Sequence, residues 1–171
     1  MNAAAISPDT LRAFLLEGVL RFITSAMGLP GVSRIAMFGS LTTNKPVPKD
    51  ADVLVTVDPA MDLSRLAEAG RALKGHGQTR NSGADIFLAD PEGTYIGRIC
   101  HWRECRFGIR LACRAQHCGR REFLHDDLQV VALAPALVAA PPIELWPTVV
   151  RRVAVPADVE AIVLGPLMRR V

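Results

Sequence analysis

Ile35-Ala36-Met37-Phe38-Gly39-Ser40, followed after a polar loop by Lys49-Asp50-Ala51-Asp52-Val53-Leu54-Val55, is the stretch that decides the fold and the chemistry of this chain. Val32 to Phe38 reads as a short buried strand, and Gly39-Ser40 turns out of it. Leu41 to Lys49 is a loop with two prolines, Pro46 and Pro48. Ala51 to Val57 is a second strand, so apolar that both of its faces are expected to be covered. Side chains two apart on a strand point to the same face. Asp50 and Asp52 therefore present two carboxylates together at the start of this strand, where they can share a divalent metal ion. The tight Gly39-Ser40 turn can hold a phosphate against that ion.

Outward from this core, Ser7 to Met27 has the pattern of an amphipathic helix, with Ser7 as cap and Pro8 in the first turn. Leu11, Phe14, Leu15, Gly18, Val19, Phe22 and Ile23 recur at helical spacing, and Gly28-Leu29-Pro30-Gly31 ends the run. Leu63 to Leu73 is a second helix, with Asp62 as its candidate cap and Gly75-His76-Gly77 as its end. Ala84 to Leu88 is a third strand and carries Asp85. Residues 95–127 lose periodicity and are dense in Cys, His and Arg. Residues 128–140 resume with an expected strand from Leu128 to Leu133 and a short helix near Pro135 to Ala139. Pro141-Pro142 opens a tail, residues 141–171, in which Val149–Val155 and Ile162–Leu167 are candidate strands. From Leu145 onward its apolar residues are candidates to cover a partner. The order helix, strand, loop, strand, helix, strand argues for an α+β (α/β-like) domain with a mixed sheet.

Asp85 is a third acid for the site. A carboxylate in a buried strand is costly unless paired or bound to metal. If the third strand lies beside the second, Asp85 reaches the same point as Asp50 and Asp52. Magnesium held jointly by oxygen ligands and nucleotide phosphates suits such a group.

Phe38-Gly39-Ser40, Asp50-Ala51-Asp52-Val53 and Ala84-Asp85-Ile86, taken in order, resemble the nucleotidyltransferase superfamily that includes DNA polymerase beta and the small bacterial nucleotidyltransferases. The resemblance spans roughly Leu11 to Leu88, helices included, so residues 1–94 are expected to form a nucleotidyltransferase-type core: a mixed sheet packed against helices. It implies that Asp50 and Asp52 bind Mg2+, with two ions an option, and that Asp85 helps activate the attacking hydroxyl. It implies that Gly39 and Ser40 contact the phosphates of a nucleoside triphosphate. Two ions can stabilise the attacking and leaving oxygens of an in-line displacement, and phosphoryl transfer rests mostly on positioning and charge stabilisation.

Cys100 and Cys105 form one pair and Cys113 and Cys118 another, each enclosing four residues. Two close pairs suit a tetrahedral, structural Zn2+ site. The ligands are either the four cysteines or three of them with His101 or His117. Such a site would supply folding energy to a segment without an apolar core. Arg98, Arg103, Arg106, Arg110, Arg114, Arg120 and Arg121 are interleaved with these ligands, and Tyr95, Trp102 and Phe107 can stack on bases. This basic knuckle can hold a triphosphate, a nucleic acid or an acidic partner, or it is a solvated basic surface. Arg98, Arg120 and Arg121 are its candidate phosphate or nucleic-acid contacts.

The 171 residues, half of them apolar, suffice for one core. No apolar run is long enough to cross a membrane. Arg12, Glu17 and Arg21 interrupt the N-terminal apolar residues, which does not match a signal peptide. The expectation is a cytoplasmic protein with reduced thiols. Two functions follow. One is transfer of a nucleoside monophosphate from a nucleoside triphosphate to a hydroxyl of a protein, small molecule or nucleic acid. The alternative is a non-catalytic, zinc-containing module that binds nucleic acid or nucleotide on a nucleotidyltransferase-like scaffold.

Overall fold

The computed structural model describes residues 10–100 and 121–170. Its first helix, α1, spans Leu11–Ala26 with Thr10 as its cap; the expected start at Ser7-Pro8 lies outside the described residues. The Thr10 hydroxyl accepts from the Ala13 amide at 3.0 Å, which satisfies one of the first-turn N–H groups that a helix leaves open. Strand β1, Val32–Phe38, runs into a 3₁₀ turn over Gly39–Thr42. Strand β2, Asp50–Val57, leads to helix α2, Ser64–Gln78, and then to β3, Gly83–Ala89. The two strands joined through α2 are parallel, as a helical crossover between neighbouring strands requires.

Helix α2 outruns its expected end at Gly75-His76-Gly77. Tertiary contacts hold the last turn where propensity would release it. The His76 ring stacks on Phe14 of α1 with centroids 3.8 Å apart, and its Nε2 lies 2.6 Å from the Phe14 carbonyl. Asp62 stands just before the helix, where its carboxylate accepts from the Ser64 amide at 2.9 Å.

The remaining strands are β4 (Tyr95–Ile99), β5 (Leu124–His125), β6 (Ile143–Trp146) and β7 (Val150–Arg151), with helix α3 (Pro135–Ala139) between β5 and β6. Among the described residues the seven strands form one mixed sheet in the order β5-β4-β3-β2-β1-β6-β7. The molecule is thus α+β. The strand expected over Leu128–Leu133 is absent. The Asp127 carbonyl accepts from the amides of both Val130 and Val131, which curls the chain into a turn. Leu128 and Val130 are left exposed, and α3 follows.

The C-terminal tail is the largest departure from expectation. Ile143–Trp146 adds β6 to the free edge of β1. Only Val150–Arg151 of the expected strand Val149–Val155 pairs, as β7. The expected strand over Ile162–Leu167 is helical: α4 (Ala157–Val159), a π-helical turn (Glu160–Leu164) and α5 (Gly165–Met168) follow without a break. Val159, Val163, Leu164 and Leu167 recur at the spacing of a helix face, and all four are buried. They pack into the main core with Leu15, Leu16, Val19 and Ile23 of α1 and with Ile35, Met37, Val53, Val55, Ile86 and Leu88 of the sheet. The tail therefore completes this chain's own core, where the sequence left it available to a partner. No helix among the described residues is long and apolar enough to cross a membrane.

The opposite sheet face carries a smaller cluster, Ala36, Phe38, Leu54, Phe87, Ala89 and Val138, under α3. Alternation along β2 and β3 puts Asp50, Asp52 and Asp85 on this second face. There they stand half-buried at the strand starts, while Ala51, Val53, Ala84 and Ile86 go to the main core.

If the tail helix is integral to the fold, replacing the fully buried Leu164 by Ala should cost roughly 2–5 kcal/mol, the usual range for such a cavity. Urea unfolding would measure it; an unchanged midpoint would mean that the tail is only loosely attached.

Candidate active site

Parallel pairing sets Asp52 directly beside Asp85 and Asp50 beside Gly83. Adjacent strands are about 4.8 Å apart, so the register alone brings the third acid to the first two. Two glycines fit beneath these carboxylates. A Cβ on Gly39, which has φ +76°, would lie 2.5 Å from Asp52 Oδ2. A Cβ on Gly83 would lie 2.4 Å from Asp50 Oδ1, which instead accepts from the Gly83 amide at 3.2 Å. The Gly39-Ser40 turn is thus in contact with Asp52.

The loop carrying that turn is held by Arg12, an arginine buried in α1. Its Nη1 donates to the carbonyls of Ser40 at 3.3 Å and Lys45 at 3.0 Å, and its Nη2 to that of Leu41 at 3.1 Å. Nε and Nη2 also grip the two carboxylate oxygens of Asp158 in α4, at 2.7 and 3.1 Å. These five bonds use all the N–H donors that a guanidinium has. Arg12 is therefore a scaffold group with nothing left to offer a ligand.

The carboxylates are electrostatically loaded. Burial, then the neighbouring Asp85, then Asp50 push the Asp52 carboxyl up to about 6. Asp85 has a counter-charge: Arg98 Nη1 lies 3.6 Å from its Oδ1. Arg98 is placed by β4, opposite Phe87 on β3, and its Nη2 also donates to Asp127 Oδ2 at 2.7 Å.

Arg98, a candidate phosphate or nucleic-acid contact, has its guanidinium engaged with Asp127 and Asp85. Arg121, a candidate for the same role, lies apart from the three carboxylates. Its Nη2 donates to the carbonyls of Asp58, at 3.1 Å, and Met61, beyond the end of β2 opposite to Asp50, and burial lowers its affinity for a proton. Cys100 is buried just after β4, with its amide donating to the Phe123 carbonyl at 2.6 Å. Cys105, Cys113, Cys118, His101, His117 and Arg120 lie outside the described residues.

Among the described residues no group of three or more His, Cys, Asp or Glu side chains is arranged to hold a metal ion. The donor chemistry still fits a hard divalent cation. Asp50 and Asp52 supply oxygen ligands, and Asp52 carries unrelieved repulsion. Magnesium characteristically takes only one or two protein carboxylates and completes its shell with phosphate and water.

Sequence reasoning located Asp50, Asp52, Asp85, Gly39 and Ser40 but passed over Gly83 and Arg12. Gly83 had a signal, a glycine directly before an acid-bearing strand. Arg12 had one too, a charge beside the apolar stripe of α1. No family model matches the chain, and no curated protein or solved structure matches it either.

The raised Asp52 carboxyl has a definite sign. The folded state holds its proton more tightly than the unfolded chain, so this group's stabilising contribution is complete below about pH 4 and is lost as pH rises through about 6. Asp52→Asn should flatten that slope and raise the melting temperature at pH 7; a gain of about 2–4 °C would correspond to ~1 kcal/mol for a chain of this size. Thermal melts from pH 4 to 8 would show it, and parallel curves for the two proteins would refute the coupling. Gly39→Ala meets both the positive φ and the Asp52 carboxylate, and should destabilise by more than the ~1 kcal/mol typical of backbone mismatch alone. Denaturant unfolding of Gly39→Ala beside the double variant Gly39→Ala/Asp52→Ala would separate the two causes, because only the clash is relieved in the latter.

Proposed function

We propose that this protein is a metal-dependent nucleotidyltransferase, moving a nucleoside monophosphate from a nucleoside triphosphate to a hydroxyl. The observation that carries the proposal is the convergence of Asp50, Asp52 and Asp85 at the starts of two parallel strands, with the Gly39-Ser40 turn against Asp52.

Asp50 and Asp52 would hold Mg2+, which supplies charge neutralisation for the phosphate oxygens of the nucleotide. Gly39 and Ser40, at the start of the 3₁₀ turn, would seat the phosphates, because only a residue without a side chain lets another group come this close to Asp52. Asp85 accepts the proton of the acceptor hydroxyl. The hydroxyl oxygen bonds to the α-phosphorus, the bond from that phosphorus to the bridging oxygen breaks, and pyrophosphate leaves. Arg98 holds Asp85 in place from β4, and a proton acceptor must be positioned within reach of the hydroxyl it serves. The alternative, a nucleic-acid-binding module, loses support from Arg98 and Arg121, whose guanidinium groups are engaged within the protein.

Calorimetry with ATP and Mg2+ tests the assignment. Wild type should bind, and Asp50→Asn/Asp52→Asn should lose at least about tenfold in affinity. Absent binding, or equal binding by the double variant, would remove the site. Asp85→Asn should retain Mg·ATP binding while losing transfer.

A further inference from the structure

A cavity of about 530 Å³ opens beside Asp85, between the C-terminal half of α2 and the neighbouring ends of β3, β4 and β5. Its walls include Arg71, Lys74, Asp85, Arg98, Cys100 and His125. The charge balance is lopsided. Arg98 is shared between Asp127 and Asp85, and with Arg71 and Lys74 added the cavity walls keep a net positive charge. These two lie three residues apart on α2, hence on one helix face.

Among the described residues, Arg71 Nη1 is buried and has no hydrogen-bond partner, and the same holds for Arg98 Nε. Arg71 otherwise leans on the Phe123 ring, 6.0 Å from its centroid. A buried cationic N–H without an acceptor is costly; Arg71 lines the cavity, so a rotation of its side chain would give that N–H an anion held there as its acceptor. Arg71 and Lys74, neither in an ion pair among the described residues, present two cationic groups on one helix face, which can hold two oxygens of one phosphate. The volume suits a small molecule.

We infer that the acceptor of the transfer is a small phosphorylated alcohol. Its phosphate sits between Arg71 and Lys74, and its hydroxyl reaches Asp85. This rests on the nucleotidyltransferase reading, since it names that reaction's second substrate. The transfer then joins the acceptor oxygen to the α-phosphorus, passes the hydroxyl proton to Asp85 and releases pyrophosphate. The acceptor's own phosphate keeps all its bonds and serves only as a handle.

The test is calorimetry on the full chain without ATP, with inorganic phosphate, glycerol 3-phosphate and glycerol as probes. Phosphate and glycerol 3-phosphate should bind wild type, and glycerol alone should not. Arg71→Gln and Lys74→Gln should each weaken phosphate binding about tenfold, as loss of a charge-assisted contact does, and leave Mg·ATP binding unchanged. Arg71→Lys, which keeps the charge, should retain most of the phosphate affinity, and this separates lost recognition from lost folding. Failure of phosphate to bind, or equal binding by the Gln variants, overturns the pocket assignment while leaving Mg·ATP binding to stand. Phosphate binding without Mg·ATP binding overturns the acceptor role by removing the transfer reaction. A single-stranded oligonucleotide that binds through Arg71 and Lys74 more tightly than glycerol 3-phosphate overturns the small-molecule class.

Discussion

The buried guanidinium of Arg12 is the constraint on which the site depends. It is the point where three separate parts of the chain meet: the first helix, the loop over Gly39–Lys45 and the C-terminal helix through Asp158. The carbonyls of that loop turn inward because an arginine is there to receive them, and a buried carbonyl without a donor would be unfavourable. The arginine can be buried because Asp158 neutralises it with bidentate geometry. Removing one partner of such a buried pair leaves an uncompensated charge, a more damaging state than never having had the pair. The tail therefore has two structural tasks. Its apolar residues close the core beneath the sheet, and Asp158 fixes the loop that carries Gly39 and Ser40.

With that loop held, the chemistry of the site becomes a problem of like charges. Three carboxylates stand at the starts of two neighbouring strands, on a sheet face whose apolar cluster lies around Leu54, Phe87 and Phe38. Asp52, the middle one, carries the cost and holds its proton up to about pH 6. Arg98 supports Asp85 from the next strand. Among the described residues, the asymmetry between a pair of acids without an ion-pair partner and a third acid with one divides their roles. The pair suits an added cation, and the third suits proton transfer. The two glycines are the steric counterpart of this arrangement, since each lies where a methyl group would collide with a carboxylate oxygen.

Much of this was legible before any coordinates. Strand β1 was read with its observed bounds, and β2 and β3 to within a residue at each end, because apolar runs bounded by glycine and proline leave few alternatives. The acid spacing in Asp50-Ala51-Asp52 implies a shared face whatever the tertiary structure. The errors have a common cause. Helix α2 was cut short at its glycines because local propensity says nothing of the His76 stack on Phe14. The run from Leu128 to Leu133 looked like a strand from composition, yet no neighbouring strand pairs with it there. The tail segment from Ile162 to Leu167 is equally apolar as strand or helix, and its packing against α1 made it helical.

The sequence by itself determined the local alphabet of the site: a turn that requires glycine, two acids on one strand face and a third acid on another strand. These follow from backbone stereochemistry and the two-residue period of a strand, which act over a few residues. Tertiary structure alone decided that Asp85 pairs with Asp52, that Arg12 holds the loop, and that Arg98 serves Asp85 while Arg121 is carried away to the turn after β2. It also decided that Arg71 and Lys74 flank the cavity beside Asp85. Each of these depends on contacts between residues distant in the chain, whose partners are chosen by strand register and core packing; the sequence around a residue does not say which partner it will meet.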